Sequence, residues 1–394
     1  MSESVIYHAA KSFQSSAIQH RRHLHQNPEL AFQEFQTSDY IAEELTKLGL
    51  EVHRGFGTTG LVARLSTEKE GTRFLLRFDM DALAMEEQSG VEFASKTKGV
   101  MHSCGHDGHI TIGLTIARIL VALKEELTGS YFLVFQPAEE IGQGAAAMIA
   151  DGIMEFIQPD YALAVHLWSE NPVGWLGISS GPVMAGCKDV NIEVQGVGGH
   201  GARPHMAADP ILASAQLITA LQSLTSRETD PLDSLVYSIT KIHAGTNNNV
   251  IPNTVTLGGK PRFFTKEVQE MMEKSTHRLC KGIGEAFGSQ IKAEFGPAVP
   301  PVVNEPRVVQ AAKLAARKID SEIVIDQGMR MMASEDMALF LDLVPGAMIF
   351  VGSGSEDATK RFALHHPCFD IDERSLVLAA ALLVETCQQL VLSS

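Results

Sequence analysis

The stretch RFLLRFDMDAL, residues 73–83, is a short apolar run that ends on two acids, Asp79 and Asp81. A run this short and this rich in Leu and Phe reads as a buried strand rather than a helix. Similar runs lie on both sides of it, at 61–65, 131–135, 161–165 and 346–351. Helical segments near 109–127 and 143–150 separate some of them. Another at 33–48 places Phe35, Ile41, Leu45 and Leu48 close to one face, with Gly49 as its stop. Strands alternating with helices predict an α/β fold with a mainly parallel sheet.

The middle of the chain has a different rhythm. KDVNIEVQG (188–196) alternates like a strand with one buried face, and Asp209-Pro210 then opens a helix as N-cap and first helical residue. Strands at 234–242 and 253–264, a helix at 266–287 and a strand at 290–295 complete a β-α-β-β-α-β order, the ferredoxin-like split pattern. Helices near 305–318, 334–342 and 374–392 resume the first rhythm. The expected organisation is therefore one domain, 1–186 with 298–394, interrupted by a second at 187–297.

The composition is that of a folded soluble chain, 45% hydrophobic and 20% charged. Its 47 acidic and 32 basic residues give a formal net charge of −15. Such a surface repels phosphate backbones, so nucleic acid is not an expected partner. No run of about 18 apolar residues suggests a bilayer span. The N-terminal stretch lacks the ordered regions of a signal peptide, so a cytoplasmic location is expected. The cysteines, Cys104, Cys187, Cys280, Cys368 and Cys387, are scattered and odd in number, which argues against a disulfide framework.

Chemistry concentrates in HSCGHDGH (102–109), which packs Cys104, His102, His106 and His109 beside Asp107. A Cys-x-His pair in a glycine-containing turn can bring a thiolate and an imidazole to neighbouring coordination positions, and zinc accepts both. PAEE (137–140) directly follows the run 130–136. Two adjacent carboxylates repel each other unless a cation or a shared proton compensates, so one can bind metal while the other moves a proton. His166 ends the run ALAVHLW. Ligands gather at the carboxyl ends of strands in open α/β sheets, and here three such ends carry ligand-type residues. Two patterns are set aside. Gly177-Ile178-Ser179-Ser180-Gly181 mimics a nucleophile elbow but has no helix after it. GVGGHG (196–201) mimics a dinucleotide loop, yet Arg203-Pro204-His205 delays the helix that would cradle phosphate.

These motifs, together with RRHLHQNPEL (21–30), GGHGARPH (198–205), NVIPN (249–253), SEDM (334–337) and LHHP (364–367), resemble the amidohydrolase branch of the aminoacylase and carboxypeptidase-G-like metallopeptidases. That branch includes hippurate hydrolase and indole-acetyl-amino-acid hydrolases. The resemblance implies two divalent metal ions (Zn, Mn, Co or Ni) held by Cys104, His106, Glu140, His166 and His365. His365 is taken over His366 because it follows Leu364 directly. Glu139 is implied as general base, Asp81 as support for the metal site, and His200 as the oxyanion's partner, often across a dimer interface. Asn249 and Arg262 match substrate-holding positions, and His23 and His25 are read as structural. Ala84, Ile141-Gly142-Gln143, Gly259-Lys260-Pro261 and Ala333 depart from the usual pattern without removing a ligand.

The expected activity is metal-dependent hydrolysis of N-acyl amino acids, hippurate-like or N-acetyl, by a homodimer whose inserted domain serves as lid and dimer contact. Two rival readings are a dipeptidase or aminopeptidase using the same metals, and a non-catalytic two-domain binding protein.

Overall fold

In the computed structural model, which describes residues 4–67, 69 and 71–392, each of those short apolar runs is a strand of a single eight-stranded sheet. Its order is Glu51–Phe56, Gly60–Ser66, Ser130–Gln136, Arg73–Asp79, Tyr161–Pro172, Gly346–Gly354, Trp175–Gly177, Val324–Asp326. The central four are mutually parallel, and antiparallel pairs appear only towards the edges. Parallel strands are covered on both faces, which is why these runs are apolar without alternation. From Phe74 to Phe78 no residue is more than 1% exposed.

The helix His106–Ala122 packs on the strand Arg73–Asp79, and Arg374–Leu392 packs on that helix and on Pro306–Ile319. Gly113 sets how closely the first helix approaches the sheet. A Cβ there would meet the rings of Phe78 at 2.7 Å and Phe135 at 2.8 Å. The close seat brings the helix N-terminus level with the carboxyl ends of the strands beneath it.

The helix Arg374–Leu392 corrects one expectation. By length and composition it could cross a membrane, although the sequence reading found no such run. Burial explains it: 78% of its apolar window is inside the protein. Its one internal acid, Glu385, is fully buried, accepts from Ser4 Oγ at 2.9 Å and pairs with Lys318. It is a core helix.

The chain separates into two compact units. The first comprises the chain up to Val183, Val302–Arg330 and the chain from Asp336 onward; the second comprises Met184–Pro301 and Met331–Glu335. The second unit is thus wider than the expected 187–297 and takes in a distant segment. The Ala185 N–H donates to the carbonyls of Met331 and Ala333, and Arg262 Nη1 donates to Met332 O.

Within the second unit, Gly186–Gln195 lies centrally. It pairs antiparallel with Gln290–Val299 on one side and with Thr254–Gly259 and Arg262–Phe263 on the other; the hairpin partners Leu235–Val236 and Ile239–Ala244 form the far edge. Taken in chain order the sheet reads 4-1-3-2, the ferredoxin-like arrangement. Asp209 caps the helix Pro210–Ser223 through the N–H groups of Ile211 and Leu212, and Thr265 caps Lys266–Phe287 through Val268 N–H. Expected strand 253–264 is broken after Gly259, where Pro261 has no N–H to give the ladder.

Candidate metal centre and active site

The site begins with strand register. Asp79 lies opposite Gln136 in the parallel pair, so Asp81 and the Pro137–Glu140 turn leave the sheet side by side. Asp81 joins them: one carboxylate oxygen accepts the Glu139 N–H at 2.9 Å and the other accepts the Glu140 N–H at 3.0 Å. Ala138, just before the paired acids, holds a left-handed φ of 53°. A non-glycine residue there stores strain of about 1–3 kcal/mol, a cost that tends to cluster at active sites.

Cys104 and His106 flank Gly105, whose φ of 86° puts it in the left-handed region as N-cap of the helix His106–Ala122. That turn lets both side chains face Glu140, and the ligand atoms of the three lie within 4.8 Å of one another. His106 Nδ1 is 2.8 Å from Asp81 O and donates to it, so Nε2 is the ring atom that faces Glu140 Oε1, at 3.9 Å. His166 repeats the device: Nδ1 donates to Leu167 O at 2.8 Å, and Nε2 sits 3.7 Å from Cys104 Sγ. His365 Nε2 is 3.4 Å from Glu140 Oε2. Its backbone, at φ 64°, is anchored by donation to Ser103 O at 2.8 Å. Its neighbour His366 instead stacks on Phe362, and its Nδ1 accepts from Cys368 N. The five residues expected to bind metal are therefore gathered in one unit.

Two observations test whether a metal suits them. His106 Nε2 and Glu140 Oε1 are buried with no hydrogen-bond partner, and a buried polar atom left unpaired costs about 1–3 kcal/mol. The donor set of one thiol, three imidazoles and a carboxylate is one that zinc and its first-row neighbours accept. The residues fit divalent metal.

The electrostatics agree. Burial, aided by His109, depresses the pKa of His166 to about 3, so its ring stays neutral. Burial alone would do the same to His106, but Asp79 and Cys104 outweigh it and raise its pKa well above the usual value. Hydrogen bonds with Cys104 and Glu140 raise His365 to about 10. Burial and the Glu140 charge push the Cys104 thiol up. The cluster favours positive charge, whether protons or metal ions carry it.

His109, also in the motif, is already committed. The Leu167 N–H donates to its Nε2 at 2.9 Å, which places the proton on Nδ1, 2.6 Å from Asp79 Oδ1. His102 is buried with neither ring nitrogen paired, and burial lowers its pKa to about 4. Behind the helix N-terminus, Asp107 Oδ2 accepts from Arg21 at 3.0 Å and His25 at 2.7 Å, while His25 also meets Glu87 at 3.1 Å.

Sequence reasoning named Asp79 only as an acid at a strand end and passed over Arg77 and Asp336. The available signal was Arg77 itself, a charge inside an otherwise apolar strand.

The second unit holds the other three candidates. His200 lies on the two-residue strand Gly199–His200, paired with Val250–Ile251, and is exposed. The Ala202 N–H donates to its Nδ1 at 3.0 Å, which puts the ring proton on Nε2 as a donor. Asn249 is adjacent, its carbonyl accepting from Gly201 N at 2.8 Å. Arg262 is elsewhere on the sheet, its Nη1 donating to Met332 O at 2.9 Å and Ser334 Oγ at 3.3 Å.

Residues 75–389 match the sequence profile of peptidase family M20/M25/M40. The chain belongs to that family. As an M20/M25/M40 member it is a hydrolytic enzyme of the metallopeptidase and amidohydrolase class. It is 38% identical over 371 residues to an N-acetyl-L-cysteine deacetylase of Bacillus subtilis (strain 168), covering 94% of this chain and 87% of that one. It is 40% identical over 306 residues to an N-acyl-L-amino acid amidohydrolase of Geobacillus stearothermophilus, covering 77% and 82%. In structure it is similar to the Bacillus subtilis YXEP protein, described as a dinuclear metal binding peptidase of the M20 family. The TM-score is 0.85 at 31% identity, over 98% of this chain and 100% of that one.

Proposed function

We propose that this protein hydrolyses the amide bond of N-acyl amino acids, hippurate-like or N-acetyl, giving a carboxylic acid and a free amino acid. The observation that carries the reading is the buried Cys104–His106–Glu140 cluster with its open Nε2 and Oε1 atoms, next to a second acid, Glu139, fixed by the same Asp81. Cys104, His106, Glu140, His166 and His365 would hold two divalent ions, Zn, Mn, Co or Ni. When bound, such ions acidify water and polarise an amide carbonyl.

The chain's own residues do the rest. Glu139 takes a proton from the attacking water as its oxygen bonds to the acyl carbon. It then passes that proton to the nitrogen as the C–N bond breaks. Asp81 holds Glu139 and Glu140 apart in their separate tasks. His200 is assigned to the developing oxyanion, a role suited to a ring whose proton is on Nε2. Asn249 and Arg262 are assigned to the substrate, Arg262 to its carboxylate. We infer a cytoplasmic homodimer; the five cysteines are free thiols, the form a reducing compartment maintains.

The test is release of free amine from a panel of N-acyl amino acids and dipeptides, before and after chelation. Activity that requires both an acylated nitrogen and a metal supports the proposal. Cleavage confined to substrates with a free amino group would move the enzyme to the dipeptidases. Glu139→Ala should lose about 10²–10⁴ in kcat while retaining metal. Mixing Glu139→Ala with His200→Ala subunits should regain activity if His200 serves a partner's site.

A further inference from the structure

The turn that carries the paired acids is held from two sides. Asp81 accepts the N–H groups of Glu139 and Glu140. A second buried acid, Glu34, accepts the one before them: the Ala138 N–H donates to its Oε1 at 3.0 Å. Three consecutive backbone donors therefore end on two side chains from distant segments. Glu34 is 0% exposed and sits just before the helix Phe35–Lys47, whose Ile41 and Leu45 are anchored in the core. Its Oε1 also accepts the Phe32 N–H at 3.0 Å, and its Oε2 accepts from Thr59 Oγ1 at 2.7 Å. The carbonyl of Ala138 is committed as well, accepting from the N–H groups of Gln143 at 3.2 Å and Gly144 at 3.1 Å. Ala138 needs such restraint, because at φ 53° a residue with a Cβ is held against its preference. Released, it would fall back to negative φ, and rotation there swings every atom that follows. The Glu139 and Glu140 N–H groups would leave Asp81, and their carboxylates would leave the site.

We propose that Glu34 is a positioning residue of the active site: it holds Ala138 in its left-handed conformation and so aims Glu139 and Glu140. The inference rests on the tasks proposed for those two acids. Glu34 acts on them only through the turn.

Residue-resolved hydrogen exchange on metal-free protein tests this first. In Glu34→Ala the Glu139 and Glu140 amides should exchange about 10–100-fold faster than in wild type, the equivalent of one lost hydrogen bond to a charged group. Both are bonded to Asp81 rather than to Glu34, so loss of the Glu34 contacts alone would not reach them. Turnover is then measured on an N-acyl amino acid with cobalt(II)-loaded protein, loading being followed by the thiolate-to-cobalt absorption band that Cys104 would give. There kcat should fall about 10²-fold with little change in KM. Two variants should recover most of both losses. Glu34→Gln can keep its carbonyl oxygen on the Ala138 N–H and turn its amide to the Thr59 hydroxyl, which also accepts. Glu34→Ala with Ala138→Gly takes up a positive φ without restraint. Asn304→Ala serves as a control for general destabilisation; Asn304 is buried and bonded to Ser179 O and the Met348 backbone. It should lower Tm and leave kcat and the two amides as in wild type.

Exchange at Glu139 and Glu140 no faster in Glu34→Ala than in wild type overturns the proposal. So does a loss as large with Ala138→Gly as without it, an unchanged kcat, or an equal effect in Asn304→Ala. If Glu34→Ala does not fold, the double variant decides: wild-type exchange at the two amides sustains the inference, and fast exchange or failure to fold overturns it. A wild-type protein that hydrolyses no N-acyl amino acid overturns the proposed function; exchange in the metal-free protein still decides for or against Glu34.

Discussion

Replacing Asp81 with asparagine should damage both stability and turnover, and the structure sets the scale. The side chain is 1% exposed, and its two oxygens accept the N–H groups of consecutive residues, Glu139 and Glu140. Hydrogen bonds to a charged group contribute about 1.5–3 kcal/mol each. Asparagine has one carbonyl oxygen, so one bond survives in its weaker neutral form. The other becomes an NH₂ facing an N–H, two donors with nothing between them. The expected loss is about 2–4 kcal/mol. Because the displaced backbone carries Glu139, turnover should also fall; a misplacement of about 1 Å can cost 10²-fold. The assay is urea unfolding of Asp81→Asn against wild type, with kcat and KM measured on a hydrolysed N-acyl amino acid at full metal occupancy. A stability change below about 0.5 kcal/mol with unchanged kcat would refute the idea that Asp81 fixes the acid pair.

Other outcomes follow from the same contacts. His25 has its pKa raised to about 9: burial opposes this, but Asp107 and Glu87 prevail. Its stabilising effect is complete below the unfolded value of about 6.5 and is lost as pH rises through 9. The size is on the order of 3 kcal/mol, and His25→Gln should flatten stability over that window in urea melts. Asp107→Asn leaves Arg21 and His25 without their shared acid and should cost about 3–5 kcal/mol, read as a fall in Tm. Gly113→Ala forces a Cβ against Phe78 and Phe135 and should destabilise by about 1–3 kcal/mol in the same melts. Cys104→Ser should abolish the thiolate–cobalt band while leaving Tm of the metal-stripped protein close to that of wild type.

The sheet was legible because its strands are buried on both faces and so spell unbroken apolar runs. The two-residue ribbon of Gly199–His200 with Val250–Ile251 carries no such run and was not foreseen. Expected helix 334–342 shrinks to Ala338–Leu341; just before it, Met331–Glu335 belongs to the second unit, where the Met331 and Ala333 carbonyls accept from the Ala185 N–H. Backbone pairing of that kind leaves no mark on side-chain pattern. For the site, the Cys-x-His spacing favoured His106, but residue types alone gave His102 and His109 no task of their own. The separation of the three depends on the Leu167 N–H and the Asp81 carbonyl, donors and acceptors that any sequence supplies. Arg77 was passed over, because its meaning required knowing that Asp79 and Asp336, far apart in the chain, share its fork.

The chain passes between the two units four times, after Val183, Pro301, Arg330 and Glu335. During synthesis the second unit therefore has nearly all its residues before the first can close. The strand Tyr161–Pro172 waits for Gly346–Gly354 to emerge beside it, and the core waits for the final helix. His365 is the last of the proposed ligands to leave the ribosome. On that order of events metal loading is a late step of biogenesis, and a nascent chain stalled before residue 346 would carry an open, apolar sheet edge for chaperones to shield.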